Sequence, residues 1–227
     1  SHALIGGLIG SGIAAAGFKV LVLGGIFKIV LFIIVAPLLG MIGGVIFTII
    51  VIQIFRKTNP FKVNHIFKKL QLVSALFYSI GHGTNDAQKT MGIIAMALIA
   101  GGVHKTFELS GWIVLSCYSA IALGTMLGGW RIIKTMGTQI IKIRALEGFC
   151  SSSAASLVLM GTALVVIPVS TTHVIAGSIM GVGTVEFAAK VRWVTARKII
   201  WAWIITIPLT AICAALSYLV ISIFLGK

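Results

Sequence analysis

Two short polar stretches interrupt a chain that is otherwise apolar. Gly81–Thr90 carries Thr84, Asn85, Asp86, Lys89 and Thr90. Pro168–His173 carries Ser170, Thr171, Thr172 and His173 behind a proline. Asp86 is one of only four acidic residues. A charge at membrane depth costs about 2.5 kcal/mol or more unless it is paired or faces a polar cavity, so a carboxylate retained there marks a site. Proline disfavours helix at its predecessor, so one helix should end near Ile167, with Ser or Thr capping the next. A helix start exposes N–H groups and a positive dipole end, and three hydroxyls in a row add donors. Together they suit a tetrahedral oxyanion. Gly81 and Gly83 can break a helix in the same way.

A carboxylate tolerates an anion beside it when the anion has a proton to donate, as hydrogen phosphate does, or when the carboxylate binds a coupling cation. Lys89, at i+3 from Asp86, reaches it on one helical face. Plainer roles stay open: the hydroxyls can bond back to helical carbonyls, and Asp86 and Lys89 can simply neutralise each other. His173 is a candidate proton carrier or a helix-start hydrogen-bonding group. His82 and His104 have no metal-ligand spacing to Cys or Glu, so no metal site is expected. Glu147 and Glu186 lie near basic segments and are expected to form surface pairs.

The elements that must hold these groups belong to a membrane protein. Of 227 residues, 59% are apolar and 10% charged, and the mean hydropathy is +1.13. Soluble domains carry about 25% charged residues. Runs such as 20–35 and 209–225 are helical in length and lack barrel alternation, which predicts an all-α polytopic fold in the bilayer. The net charge of +14 sits in short segments between apolar runs. That is the positive-inside pattern, and no nucleic-acid partner is expected. Cys117, Cys150 and Cys213 lie in apolar runs and are expected to be buried thiols.

The chain repeats itself. Ser1, His2, Gly6, Gly10 and Gly12 recur at one constant offset as Thr172, His173, Gly177, Gly181 and Gly183. In the same register Lys19 meets Lys190, and Pro37 meets Pro208. Duplication of this kind is the mark of secondary transporters. The glycines at helical spacing fit close helix packing. The first copy begins at the counterpart of Thr172, so a twin of the Asp86 stretch is expected upstream of residue 1, and the chain reads as lacking the start of its first half.

Basic clusters at Arg56–Lys69, Arg131–Arg144 and Lys190–Lys198 are placed in the cytoplasm. Crossings are then expected at 29–55, 72–100, 111–130, 148–167, 168–189 and 199–226, with 72–100 or 168–189 as possible re-entrant hairpins. An odd number of crossings separates the copies, which makes them inverted. The expected organisation is the end of a first repeat (1–55), a basic amphipathic linker (56–70) opened by Asn59 and Pro60, and a second repeat (71–227).

These residues resemble the inorganic phosphate transporter (PiT) family of secondary transporters. The resemblance rests on Gly83, Thr84, Asn85 and Asp86 as its Gly-x-Asn-Asp element, and on Ser170 to His173 as its Ser-Thr-Thr-His element. It implies a dimeric inverted-repeat transporter of the inner (plasma) membrane. Phosphate would be lined by Thr84, Asn85, Asp86, Ser170, Thr171 and Thr172, with Ser1 matching Thr172 in the other half. Asp86, Lys89 and His173 would handle the coupling ion or balance charge. Sodium-coupled members continue as Asn-Asp-Val-Ala-Asn, whereas here Asp86 is followed by Ala87, Gln88 and Lys89. That looks like the bacterial branch, where proton coupling and transport of metal–phosphate complexes occur. The expectation is import of inorganic phosphate by proton symport, without a cofactor. Sodium coupling, or another oxyanion such as sulfate, is the alternative. An enzyme acting on a phosphorylated lipid is remote, because no nucleophile–base pair is legible.

Overall fold

A computed structural model describes residues 1–164, 169–186 and 191–225. The side chains of Arg131, Glu186 and Leu225 are outside that description. Among the described residues the regular structure is helical, with no strand: α1 (His2–Ala16), α2 (Leu23–Phe55), α3 (Pro60–Ala100), α4 (Gly111–Gly128), α5 (Trp130–Lys134) leading into a π-turn (Thr135–Ile140), α6 (Ala145–Leu164), α7 (Thr171–Glu186) and α8 (Trp193–Leu225). The expected all-α class is therefore observed. Leu23–Phe55, Gly111–Gly128 and Trp193–Phe224 are long and apolar enough to cross a membrane. Large apolar side chains such as Ile42, Leu115, Ile212 and Leu219 are exposed along these helices, as lipid-facing surfaces require.

The linker and the apolar run after it form one helix. The Asn59 side chain accepts from the Phe61 N–H at 2.9 Å and Pro60 takes the first helical position, so α3 starts at the expected cap. Phe67 is fully buried, and Val63 and Leu70 pack beside it with Val51 and Cys150, while Lys62, Lys68 and Lys69 stay exposed. α3, 41 residues in all, runs straight through Gly81 and Gly83. The break that these glycines permit is not taken. Neither takes a positive φ. A helix-interior glycine costs only about 0.5–1 kcal/mol, less than leaving backbone groups without partners in lipid.

The described parts of α1 and α7 hold 15 and 16 residues, fewer than the ~20 a crossing needs. The expected helix end at Ile167 and Pro168, and the repeat residue Lys190, lie outside the described residues. α6 begins with one half of a capping box: the Glu147 carboxylate accepts from the Arg144 N–H at 2.9 Å. Glu147 is only 6% exposed, which corrects the expectation of a surface residue. Its role is to satisfy a helix-start N–H that has no partner within the helix. Cys117 and Cys150 are buried as expected, but Cys213 is exposed on α8.

The chain forms two compact units, Ser1–Ile33 with Trp193–Lys227, and Ile34–Arg192. In the first, α1 packs against α8. A Cβ at Gly6 or Gly10 would come closer than 3.0 Å to Ile207 or Ala211 backbone. In the second, α7 packs against the Ile34–Phe55 part of α2. Cβ atoms at Gly177 and Gly181 would strike Pro37 and Met41, and those at Gly40 and Gly44 would strike Val174 and Ser178. Ser178 Oγ donates to the Gly40 carbonyl at 3.0 Å across this contact. By the sequence repeat, α1 corresponds to α7 and α2 to α8. The short helix of each copy is thus seated on the long helix of the other, through small residues that let backbones touch.

Candidate functional site

The site is built on one face of α3. Tyr78, His82, Asp86 and Lys89 follow one another at spacings of four, four and three, which stacks their side chains along one stripe. That stripe meets the start of α7, where the Ser170 carbonyl accepts from the N–H groups of His173 and Val174, both at 3.1 Å. The polar stretch expected to open a helix does so.

Asp86 is the hub. Its Oδ1 accepts from Lys89 Nζ at 3.0 Å. Its Oδ2 accepts from the Thr171 hydroxyl at 3.3 Å and lies 3.6 Å from His82 Nδ1. Lys89 Nζ also donates to the Val169 carbonyl at 2.8 Å, so one ammonium joins the carboxylate to the backbone just before α7. His82 Nδ1 is 2.7 Å from the Thr171 hydroxyl. Thr171 has one proton to give. Donated to Asp86, it leaves a lone pair for His82 Nδ1–H. Tyr78 stacks on His82 with ring centroids 5.9 Å apart and planes 8° from parallel, and its hydroxyl donates to the Thr171 carbonyl at 3.4 Å.

The structure therefore unites Asp86, Lys89 and Thr171 of the expected residues. Thr171 is 2% exposed, and the Asp86 and Lys89 side chains are 33% and 15% exposed. Thr84 and Asn85 bond back to the Ile80 and Gly81 carbonyls of their own helix, at 2.8 and 3.0 Å. Thr172 lines a cavity of about 570 Å³ together with Tyr78, His82, Thr125 and Met136, walled by α3, α4, α5, the π-turn and α7. His173 is buried in the first turn of α7. Ser1 precedes α1 in the other compact unit. Sequence reasoning missed Tyr78 and His82. Their signal was present as a four-residue spacing leading to Asp86, but a lone histidine search for metal ligands does not look for it. Among the described residues no cluster of His, Cys, Asp and Glu could hold a metal.

The chemistry of this cluster is that of a compensated charge. The ammonium cancels the carboxylate, and the dipole of the α7 start remains as positive potential. Hydroxyl and imidazole N–H donors stand beside it. Residues 1–214 match the phosphate transporter family. The chain belongs to that family. The phosphate transporter family is one of transporters, which sets aside the reading as a lipid-modifying enzyme.

Among relatives in the family, the chain is 46% identical over 96% of its length to a "probable low-affinity inorganic phosphate transporter" of Rhizobium meliloti. It is 42% identical over 98% of its length to a Bacillus subtilis protein of the same name. It spans 66% and 67% of the length of these two curated relatives. A solved structure, "The sodium-dependent phosphate transporter", superposes with a TM-score of 0.84 at 23% identity, over 96% of this chain and 72% of that one. At that identity the likeness establishes the fold.

Proposed function

We propose that this chain carries the binding machinery of a secondary transporter that imports inorganic phosphate by proton symport, in the inner membrane. The observation that carries the reading is the meeting of Asp86, Lys89 and the Thr171 hydroxyl at the start of α7, in a chain of the phosphate transporter family. Thr172, with the Ser170 backbone, presents donors to the anion, beside the Thr171 hydroxyl that Asp86 holds. Asn85 and Thr84 stand on α3 near it, and exchange their bonds to the Gly81 and Ile80 carbonyls for the anion when they line it. Asp86 accepts a proton that hydrogen phosphate carries and sulfate at neutral pH does not. Lys89 supplies a fixed positive charge at Asp86, which favours a proton over sodium as the coupled ion. His173, buried in the same turn of α7, is the candidate proton carrier. Ser1, the counterpart of Thr172, serves the matching element of the other repeat, and two inverted repeats exchange conformations to alternate access. The transporter works as a homodimer.

Uptake of radiolabelled phosphate into proteoliposomes tests this. The expected result is uptake that arsenate inhibits and sulfate does not, that persists without sodium, and that stops when the proton gradient collapses. Strict sodium dependence, the coupling named for the solved relative, refutes proton coupling. Inhibition by sulfate as strong as by arsenate refutes the substrate.

A further inference from the structure

Building on the reading of this site as a phosphate site, we propose that His82 is a positioning residue that aims the Thr171 hydroxyl, with Tyr78 as its brace. Several other threonine hydroxyls in this fold turn back onto their own helix. Thr48 bonds to Gly44, Thr162 to Val158 and Thr210 to Thr206, each to a carbonyl one turn earlier. Such back-bonding points the hydroxyl along its helix and away from a ligand. Thr171 is the first residue of α7, so α7 itself has no earlier turn to take its hydroxyl. Its hydroxyl is held instead from α3, between His82 Nδ1 at 2.7 Å and Asp86 Oδ2 at 3.3 Å.

The two partners do different things. Asp86 can only accept, so it takes the hydroxyl proton. With the hydroxyl proton on Asp86, the His82 tautomer that fits is Nδ1–H, which fixes the rotation of the hydroxyl by donating to its lone pair. The ring cannot swing away easily, because Tyr78 lies flat against it. The Tyr78 hydroxyl reaches the Thr171 carbonyl, so ring and hydroxyl together grip both the side chain and the backbone of the first residue of α7. His82 and Tyr78 also line the cavity beside Thr172. The clamp therefore stands where an incoming anion meets the helix start. The first turn of α7 is thereby fixed before the anion arrives, and preorganisation of this kind raises affinity without a new contact.

The test is phosphate uptake by the full-length protein in proteoliposomes, with KM and Vmax read separately and the amount of membrane-inserted protein measured. His82→Leu keeps the bulk and loses the donor. It is expected to raise KM about tenfold, the worth of one hydrogen bond, with Vmax nearly unchanged. His82→Asn retains an N–H near the position of Nδ1 and is expected to return KM towards that of wild type. Tyr78→Phe removes a single oxygen and is expected to raise KM severalfold. A wild-type KM in His82→Leu overturns the proposal, as does equal impairment of His82→Leu and His82→Asn, which marks a packing role. If His82→Leu does not accumulate, a wild-type KM in Tyr78→Phe together with a His82→Asn KM raised tenfold overturns it. Wild-type protein that takes up no phosphate refutes the transporter reading instead, whereas wild-type uptake with unaltered His82→Leu kinetics refutes the clamp alone.

Discussion

The hydroxyl of Thr171 lies 3.3 Å from the carboxylate of Asp86, although the two residues are 85 positions apart in the chain. The contact joins the middle of a long helix to the first turn of a short one. It leaves Asp86 with a donor on each oxygen, Lys89 on one and Thr171 on the other.

Asp86→Asn leaves one acceptor oxygen for two donors and removes the negative charge. Hydrogen bonds to charged groups are worth about 1.5–3 kcal/mol each, so phosphate uptake is expected to fall by roughly 100-fold or more. Immunoblots of the membrane fraction should show a normal amount of protein. Full uptake by this variant refutes a central role for Asp86.

Lys89→Met leaves the Asp86 carboxylate without its ammonium. Thermal unfolding in detergent is expected to show a lower Tm than for the Asp86→Asn/Lys89→Met double variant, with a coupling of about 0.5–3 kcal/mol. The double variant should remain inactive in uptake. Recovered uptake in the double variant means that the pair only neutralises itself and takes no part in transport.

Thr171→Val keeps the shape of the side chain and removes its hydroxyl. Uptake at low phosphate is expected to drop about tenfold, while Thr171→Ser stays near wild type. Equal activity of the Val and Ser variants excludes the hydroxyl from the site.

Gly177→Val and Gly181→Val place side chains where the Pro37 and Met41 carbonyls already sit. Overpacking is expected to cost about 1–3 kcal/mol or more and to lower both Tm and the amount inserted in the membrane. Gly92→Ala meets no atom within 4 Å. It is expected to leave Tm unchanged or raise it by about 1 kcal/mol of stability, through the helical preference of alanine. A normal Tm in Gly181→Val contradicts the close α2–α7 contact.

Local chemistry was legible in the residues alone. Asp86 and Lys89 meet because a helix brings i and i+3 together, wherever that helix lies. Asn59 with Pro60 starts α3 because a cap acts on its own first turn. The helix start at Ser170 follows from the polar run behind a proline, and its carbonyl accepts from the first turn of α7. The apolar stripe through Phe67 is buried because its spacing leaves no other face for the core. The repeat, with its matched glycines and prolines, foreshadowed two like helix pairs.

Other features had no local signature. Gly81 and Gly83 permit a break, but whether α3 breaks depends on whether a longer helix finds partners along its length. Glu147 is a helix cap only because the chain turns at Arg144. The Val169 carbonyl became a partner for Lys89 through its position alone, since every residue has a carbonyl. The sequence by itself determined the all-α membrane class, the family, the two polar elements and the Asp86–Lys89 pair, because composition and helical periodicity act over a few residues. Only the tertiary structure decided that α7 sits on α2 and α1 on α8, and that Thr171 falls between His82 and Asp86. Those contacts depend on how glycine-lined faces pack across long separations, where geometry and not residue spacing sets which groups meet.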